Sequence, residues 1–255
     1  MTMLVLALST CAVWLYLLLA RGGFWRADER DDASRERAED ILKWPTVVAV
    51  MAARDEADVI GESVGSLLRQ NYPAAFAIIV VDDHSSDATA ACAVSAAAAD
   101  DAADRLVVLS APDLRPGWTG KLWALNHGAT RAGNADYLLL TDADIRYAAD
   151  TVERLVVRAV RNELVLASLM ARLHCRSFAE RALIPSFVFF FQMLYPFAWV
   201  NGRNRTTSAA AGGCMLQLPL RRLTDCRLRH SASWRIPPQE RSRPRRCAHC
   251  DRTVG

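Results

Sequence analysis

Short apolar runs alternate with helix-like segments from residue 46 onward, and this alternation limits the fold more than any other feature of the sequence. The runs Thr46–Ala52 and Phe76–Val81 are not interrupted by polar residues, which is typical of strands buried on both faces. Such repetition predicts a mixed α/β fold in which a mostly parallel sheet has helices on both faces. The other predicted strands are Leu106–Leu109, Tyr137–Leu140 and Leu164–Leu169, and the predicted helices span 60–68, 88–99, 121–132 and 152–160.

Three of the predicted strands end in acidic residues. The first runs into Arg54-Asp55-Glu56, the second into Asp82 and Asp83, and the fourth into Asp142-Ala143-Asp144. Each group alone is compatible with helix capping or turn formation. Because ligands of open α/β sheets bind beyond the carboxyl ends of the strands, three such groups together favour a ligand site. Converging carboxylates repel one another unless a cation or a hydrogen-bonding ligand joins them.

The motifs that the sequence contains, and those that it lacks, limit the kinds of ligand that this site could bind. Asp142 and Asp144 fall on one side of an extended chain, and hard oxygen ligands of this kind suit Mg²⁺ or Mn²⁺ bridging nucleotide phosphates. The sequence has neither a G-x-G-x-x-G nor a G-x-x-x-x-G-K-[ST] loop, which disfavours dinucleotide enzymes and P-loop ATPases. Lys121 begins a predicted helix, whose N-terminus favours anions, although a solvated first-turn lysine explains it equally well. His84 and His127 are interpreted as turn and helix-surface residues.

The first 20 residues carry no charged side chain, and as a helix they would extend about 30 Å, enough to span a bilayer. No basic residue precedes this run and no small-x-small cleavage site ends it, so an uncleaved anchor is favoured over a secretory signal. Arg21, Arg26 and Arg30 follow, and the positive-inside bias places the remainder on the cytoplasmic side of the inner membrane.

A second charge-free segment, residues 182–200, lies near the end of the predicted sheet. Pro185 and Pro196 argue against a straight spanning helix. An interfacial or re-entrant segment fits better, with Tyr195 and Trp199 at the headgroup level. The alternative is a core helix of a soluble domain.

The net charge of +3 combines two regions of opposite sign. Residues 217–255 contain ten arginines and three acids, a net +7, whereas residues 1–216 contain 21 basic and 25 acidic residues, a net −4. The acidic body argues against nucleic acid as a partner. Seven cysteines, an odd number without a regular framework, argue against a secreted disulfide fold.

Three interpretations of the basic tail, residues 217–255, are open. It is a solvated tail that binds anionic lipid or RNA, or a zinc knuckle, or the product of a reading-frame shift near Gln217. The zinc ligands would be Cys226, His230, Cys247 and Cys250. The frame shift is favoured, because GC-rich codons read out of frame give this mixture of arginine, proline and cysteine.

Four segments together resemble the family 2 glycosyltransferases, which have the GT-A fold. They are VVAVMAARDE (47–56), VVDDHSSDAT (80–89), GKLWALNHG (120–128) and TDAD (141–144), and the resemblance covers most of residues 44–216. Three further segments resemble the hopanoid-associated (hopene-associated) bacterial glycosyltransferases. These are PGWTGK (116–121), LIPSFVFFFQ (183–192) and AAAGGCML (209–216).

The resemblance implies a Rossmann-like GT-A domain that transfers a hexosyl group from a nucleoside-diphosphate sugar to an acceptor hydroxyl. The residues that match the donor site are Arg54, Glu56, Asp82, Asp83, Lys121 and Asp142, and those that match the Mg²⁺ or Mn²⁺ site are Asp142 and Asp144. The acceptor is expected to be a lipid, hopanoid-related by the narrower resemblance, because both apolar segments would hold the site at a membrane.

The sequence departs from the family after Leu216. No Glu-Asp or Asp-Asp pair follows, nor a Gln-x-x-Arg-Trp motif, nor the family's further membrane segments, so the catalytic base has no candidate. This favours loss of turnover in the present form. The alternative functions are a noncatalytic remnant that binds a nucleotide-sugar and a membrane adaptor with a basic tail.

The predicted organisation combines these features. It consists of an anchor (1–20), a connector (21–45), a nucleotide-sugar-binding domain (46–176), an interfacial apolar segment with the start of the acceptor region (177–216) and the tail (217–255).

Overall fold

The computed structural model describes residues 1–28, 41–173, 175–201 and 213–217. The tail beyond Gln217, with the four zinc-ligand candidates, lies outside the described residues, as do Arg30 and the rest of residues 29–40 in the connector.

The chain folds into six strands and seven α-helices within the described ranges. The strands are β1 (Val47–Ala53), β2 (Phe76–Asp82), β3 (Leu106–Ser110), β4 (Tyr137–Asp142), β5 (Leu166–Met170) and β6 (Gly213–Gln217). The helices are α1 (Thr2–Leu19), α2 (Ile60–Leu68), α3 (Thr89–Ala99), α4 (Gly120–Arg131), α5 (Thr151–Arg161), α6 (Phe178–Leu194) and α7 (Phe197–Val200). Short 3-10 turns occupy Phe24–Arg26 and Ala103–Arg105.

All six strands form one sheet in the order β3-β2-β1-β4-β6-β5. β1 pairs in parallel with β2 and β4, and β2 pairs in parallel with β3. β6 runs antiparallel to both β4 and β5. The predicted α/β fold with a mostly parallel sheet is therefore confirmed, and β6 is the strand that the sequence pattern did not predict.

The central strand β1 is buried on both faces, as its unbroken apolar run predicts. Ala49 and Met51 pack with the apolar residues of α2, α3 and α5 on one face of the sheet. Val50 points to the other face, where α4 packs. Gly128 of α4 approaches so closely that a Cβ there would overlap Val50 and Val81.

The predicted element boundaries differ from the observed ones at a few places. β1, β2, β3 and β4 extend one or two residues beyond their predicted carboxyl ends, and β5 begins at Leu166 instead of Leu164. Backbone pairing with neighbouring strands, which composition does not reveal, sets these ends. Val160, predicted on the apolar face of α5, is exposed.

Two apolar helices stand apart from this core. None of the residues of α1 or α6 is buried, and two segments, Thr2–Leu19 and Phe178–Val200, are long and apolar enough to cross a membrane. The exposure of α6 contradicts the alternative of a core helix. Pro185 lies inside α6 without ending it, and Pro196 separates α6 from α7. α6 begins at a capping box in which the Ser177 side chain and Glu180 bond each other's backbone.

Candidate functional site

The carboxyl ends of β1, β2 and β4 meet at one edge of the sheet. Ala53 of β1 is level with Asp82 of β2, and Ala52 is level with Asp142 of β4. The three acidic groups therefore converge at the edge where open α/β sheets bind ligands, as the sequence predicted.

Hydrogen bonds join the loops after β1 and β2, and acidic residues of each loop accept bonds from the other. Asp55 Oδ1 accepts bonds from the Ser86 amide at 2.7 Å and from the Ser86 hydroxyl at 3.0 Å. Asp87 Oδ2 accepts a bond from the Ala57 amide at 3.1 Å. The hydroxyl of Thr89 donates to Asp87 and lowers the pKa of its carboxyl group. Asp55 and Asp87 thus form turns, the simpler of the two interpretations of acidic strand ends.

Asp82 and Asp83, at the end of β2, lie in different environments. The Asp82 carboxylate accepts a hydrogen bond from the Ser85 hydroxyl and is directed into the loop. Asp83 lies against the first residue of α4, because a Cβ on Gly120 would be 2.5 Å from Asp83 Oδ2. Arg54 Nη1 is 3.9 Å from the same oxygen. The structure therefore brings Arg54 and Asp83 together at the start of α4 and leaves Asp82 partly occupied by its own loop.

Four residues form what we call the carboxylate–lysine cluster: Glu56, Lys121, Asp142 and Asp144. Lys121 Nζ lies 2.6 Å from Asp142 Oδ1. Partial burial raises the pKa of Glu56, and the carboxylates of Asp144, Asp58 and Asp142 raise it further, while Lys121 lowers it. Asp144 is exposed. The cluster thus has more negative charge than its one lysine neutralises.

The carboxylate–lysine cluster suits a divalent cation only in combination with a ligand. Within the described ranges, no group of three His, Cys, Asp or Glu side chains is arranged to hold a metal ion. Mg²⁺ is usually held by one or two carboxylates together with substrate phosphates. Asp142 and Asp144 supply those two carboxylates. Burial is the main cause of the raised pKa of Glu56, and the neighbouring carboxylates add a repulsion that a cation would relieve. The donor set therefore fits a cation that arrives with a diphosphate.

Tyr147 is a supporting residue that the sequence did not indicate. Its hydroxyl contacts the hydroxyl of Thr141, and Thr141 Oγ1 donates to the Asp142 carbonyl at 3.1 Å. Burial raises the pKa of the Tyr147 hydroxyl. The Tyr147 amide donates to Ser66 Oγ of α2 at 3.0 Å. The segment with Asp142 and Asp144 is thereby attached to α2, a tertiary link with no sequence signature.

The two histidines lie as predicted. His84 is an exposed turn residue with a φ of 60°, and His127 is half-buried on α4.

The comparisons with known proteins agree with this fold. The family model for Glycosyl transferase family 2 matches residues 48–218. The mannosyltransferase PcManGT from Pyrobaculum calidifontis, solved with GDP-Man and Mn²⁺, is 21% identical with a TM-score of 0.53, over 83% of this chain and 57% of that one.

Two other solved structures are similar over shorter stretches. The M. tuberculosis glucosyl-3-phosphoglycerate synthase is 21% identical with a TM-score of 0.44, over 69% of this chain and 58% of that one. S. aureus TarS 1–349 with UDP-GlcNAc is 19% identical with a TM-score of 0.42, over 52% of this chain and 36% of that one.

The extent of these similarities is limited. The chain covers between 36% and 58% of the length of these three structures, and no curated protein sequence matches it. The family match nevertheless spans two thirds of the chain and contains the whole carboxylate–lysine cluster and every strand of the sheet except Val47, the first residue of β1. The chain therefore belongs to glycosyl transferase family 2 and has the mixed α/β fold of the GT-A glycosyltransferases.

Proposed function

We propose that this protein is a membrane-anchored glycosyltransferase that transfers a hexosyl group from a nucleoside-diphosphate sugar to a lipid acceptor. The observation that carries the proposal is the carboxylate–lysine cluster at the carboxyl edge of β1 and β4, where Lys121 and Asp142 are 2.6 Å apart. Its excess negative charge is suited to a cation and its lysine to a phosphate.

Arg54, Glu56 and Asp83 are proposed to contact the base and ribose of the donor, whereas Asp82 is held by the Ser85 hydroxyl in its own loop. Carboxylates accept hydrogen bonds from ribose hydroxyls and from base N–H groups. Asp83 is only 15% exposed at its side chain and lies against the start of α4, so its orientation is well defined. Arg54 is mostly exposed beside it and is able to follow a bound ligand.

Asp142 and Asp144 would hold Mg²⁺ or Mn²⁺ on the diphosphate. When bound, the cation neutralises the charge that develops on the leaving diphosphate. Lys121 supplies a further positive charge in the first turn of α4, where the helix dipole also favours anions. Thr141 and Tyr147 keep the backbone of Asp142 in position.

Anchoring by α1 supports a lipid acceptor. α1 is an unburied apolar helix of 18 residues, followed by Arg21 and Arg26. The positive-inside bias favours a catalytic domain on the cytoplasmic face of the inner membrane. A hopanoid-related acceptor is the narrower proposal, and it rests on the segments at 116–121, 183–192 and 209–216.

A second candidate is a protein that binds a nucleotide-sugar without turning it over. It is favoured by the composition of residues 217–255, in which the three acids Asp225, Glu240 and Asp251 are separated and form no pair of the kind expected for the base. The two candidates share the donor site and differ only in catalysis. A transfer assay with labelled donor and membrane lipid separates them, because the second predicts donor binding without product.

Calorimetric titration of the full chain in detergent tests the shared donor site. We expect UDP or GDP to bind only when Mn²⁺ or Mg²⁺ is present, and Asp142→Asn to weaken binding at least tenfold, about 1.4 kcal/mol. Asp104→Asn is the matched control, because Asp104 is exposed before β3 at the opposite edge of the sheet. Metal-independent binding, or equal affinity of the Asp142→Asn variant, would contradict the proposed site.

A further inference from the structure

The turn after α1 is seated on the C-terminal end of α6. Arg21 Nε donates to the Met193 carbonyl at 3.1 Å, and Arg21 Nη2 donates to the Leu194 carbonyl at 3.1 Å. Carbonyls in the last turn of a helix have no partner within the helix and carry its partial negative charge. The guanidinium of Arg21 also stacks 4.9 Å from the ring centroid of Trp199. One side chain thus binds both ends of the α6–α7 junction.

Two neighbouring residues complete this contact. Phe24 is buried and packs edge-to-face on Phe189 of α6, with ring centroids 5.2 Å apart. Gly22 has a φ of +68°, and a Cβ there would be 2.7 Å from Trp199 Nε1. The turn therefore needs glycine for its backbone conformation and for its close approach to α7. We call residues 21–24 with their partners on α6 and α7 the anchor clamp.

The outer face of α6 carries a stripe of exposed apolar side chains. Its members recur at helical spacing and are Leu183, Phe187, Phe190 and Leu194, each between 54% and 69% exposed. A contiguous apolar stripe of this kind on a soluble surface is unfavourable unless something covers it. Arg176 and Arg181, at the other end of α6 from the clamp, are exposed.

Both ends of α6 are connected to parts of the chain that lie between the end of α1 and the sheet. Its C-terminal end is bound by Arg21, two residues after α1 ends and at the start of the chain that leads to the sheet. Its N-terminal end follows β5 after residues 171–177. Seven extended residues span at most about 25 Å, less than the hydrocarbon core of about 30 Å. β5 and β6, which flank α6 in sequence, also pair in one sheet.

We propose that the anchor clamp lays α6 in the membrane interface, with the stripe on the phospholipid bilayer, and that α6 does not cross the membrane. This rests on the proposed anchoring by α1. The occupant of the stripe is lipid because the clamp continues directly from α1, and because the basic ends of the helix complement anionic headgroups. Length and composition alone mark the same segment as a span, so the contacts at its two ends decide against crossing.

Spin-label depth measurements on the full chain in nanodiscs containing anionic phospholipid test this arrangement. Cysteines are introduced singly at the four stripe positions in a cysteine-free background, and oxygen and nickel accessibility give their depth. We expect all four labels at one shallow depth, about 5–10 Å below the headgroups. A label at Gln192, on the opposite and half-buried face of α6, should be much less accessible to oxygen. Depths that pass through the bilayer centre between Leu183 and Leu194 would overturn the proposal.

A label at Leu8 of α1 separates this inference from the proposed anchoring. A deep Leu8 label with all stripe labels in water would overturn the interfacial placement alone, whereas a Leu8 label in water would overturn the anchor itself. If the cysteine-free chain does not fold, a photo-crosslinking phenylalanine analogue at Phe187 or Gln192 in the native chain replaces it. Lipid adducts are expected at position 187, and their absence there would contradict the inference.

Arg21→Lys tests the clamp. Lysine keeps the positive charge but loses the two-pronged donation and the stacking on Trp199. We expect the label at Leu194 to become more mobile while the label at Leu183 is unchanged. Arg26→Lys is the matched control, because Arg26 stacks on Trp25. Equal mobility at Leu194 in both variants would contradict the role of Arg21.

Discussion

Two sets of carboxylates share the carboxyl edge of the sheet and differ in their hydrogen-bond donors. Asp55, Asp82 and Asp87 accept bonds from serine, threonine and backbone groups of the segments that follow β1 and β2. Within the described part of the chain, no hydrogen-bond donor reaches the carboxylates of Glu56 and Asp144. The Asp142 carboxylate accepts a bond from Lys121. The first set stabilises the loops, and the second set is left with repulsion that a bound ligand would relieve.

This difference implies that one set of carboxylates at this edge contributes to fold stability and the other to ligand binding. A change in the first set should destabilise the fold with little effect on ligand affinity. A change in the carboxylate–lysine cluster should weaken ligand binding and leave the fold intact or slightly more stable. Natural binding sites often trade stability for function in this way.

The largest effect is expected for Asp144→Asn. The variant keeps the size of the side chain and removes one charge from the proposed metal-binding pair, so the Mn²⁺-dependent affinity for UDP or GDP should fall about a hundredfold. The melting temperature without ligand should not fall. Asp113→Asn, an exposed aspartate outside both sets, is the control. A loss of fold stability in Asp144→Asn with unchanged affinity would assign Asp144 to the first set.

A smaller effect is expected for Ser85→Ala, in the first set. Ser85 donates to Asp82 and accepts a bond from the Asp55 amide at 3.0 Å, so the variant loses one hydrogen bond within the segment after β2 and one that joins it to the loop after β1. We expect the free energy of unfolding to fall by about 1–2 kcal/mol. Affinity for nucleoside diphosphate should change by less than about threefold, under 0.7 kcal/mol. A tenfold loss of affinity at unchanged stability would end the distinction between the two sets.

Tyr147→Phe lies between the two sets, because Tyr147 supports the segment that carries Asp142 and Asp144. The variant removes one buried hydroxyl and leaves Thr141 to bond the Asp142 carbonyl alone. We expect a loss of about 1 kcal/mol in unfolding free energy. Affinity for ligand and metal should fall only slightly, and Tyr72→Phe, a tyrosine that bonds the Pro45 carbonyl at the opposite edge, is the control. An unchanged stability would show that the Tyr147 hydroxyl does not hold this segment.

The features that the sequence predicted and those that it did not predict have different physical origins. Strands such as β1 are buried on both faces, so an unbroken apolar run identifies them. Once the strands are identified, the acidic residues at their carboxyl ends are found from their positions in the sequence. β6 is short and joins the sheet between β4 and β5 through antiparallel pairing, and no local pattern encodes such distant pairing. No local pattern encodes the hydrogen bond from Tyr147 to Ser66 or the one from Arg21 to the end of α6 either.

The smallest effects, of opposite sign, are expected from the pH dependence of one residue in each set. The pKa of Asp87 is lowered by its bond from Thr89, so ionised Asp87 stabilises the fold above its ordinary pKa of 3.8, and this contribution is lost as the pH falls. The pKa of Glu56 is raised by burial and neighbouring carboxylates. Stability linked to Glu56 is therefore fully present below its ordinary pKa of 4.5 and is lost as the pH rises.

Neutral variants of these two residues should therefore shift the melting temperature in opposite directions. At pH 7 we expect Asp87→Asn to lower it and Glu56→Gln to raise it, each by about 1–3 °C, and both differences should shrink as the pH approaches 3.5. Glu62→Gln is the control, because it loses only an exposed ion pair with Arg146 at 3.0 Å. Shifts of the same sign in both variants would mean that the two sets of carboxylates do not differ in the way their contacts indicate. Opposite shifts would show that ionised Asp87 stabilises the fold and that ionised Glu56 destabilises it.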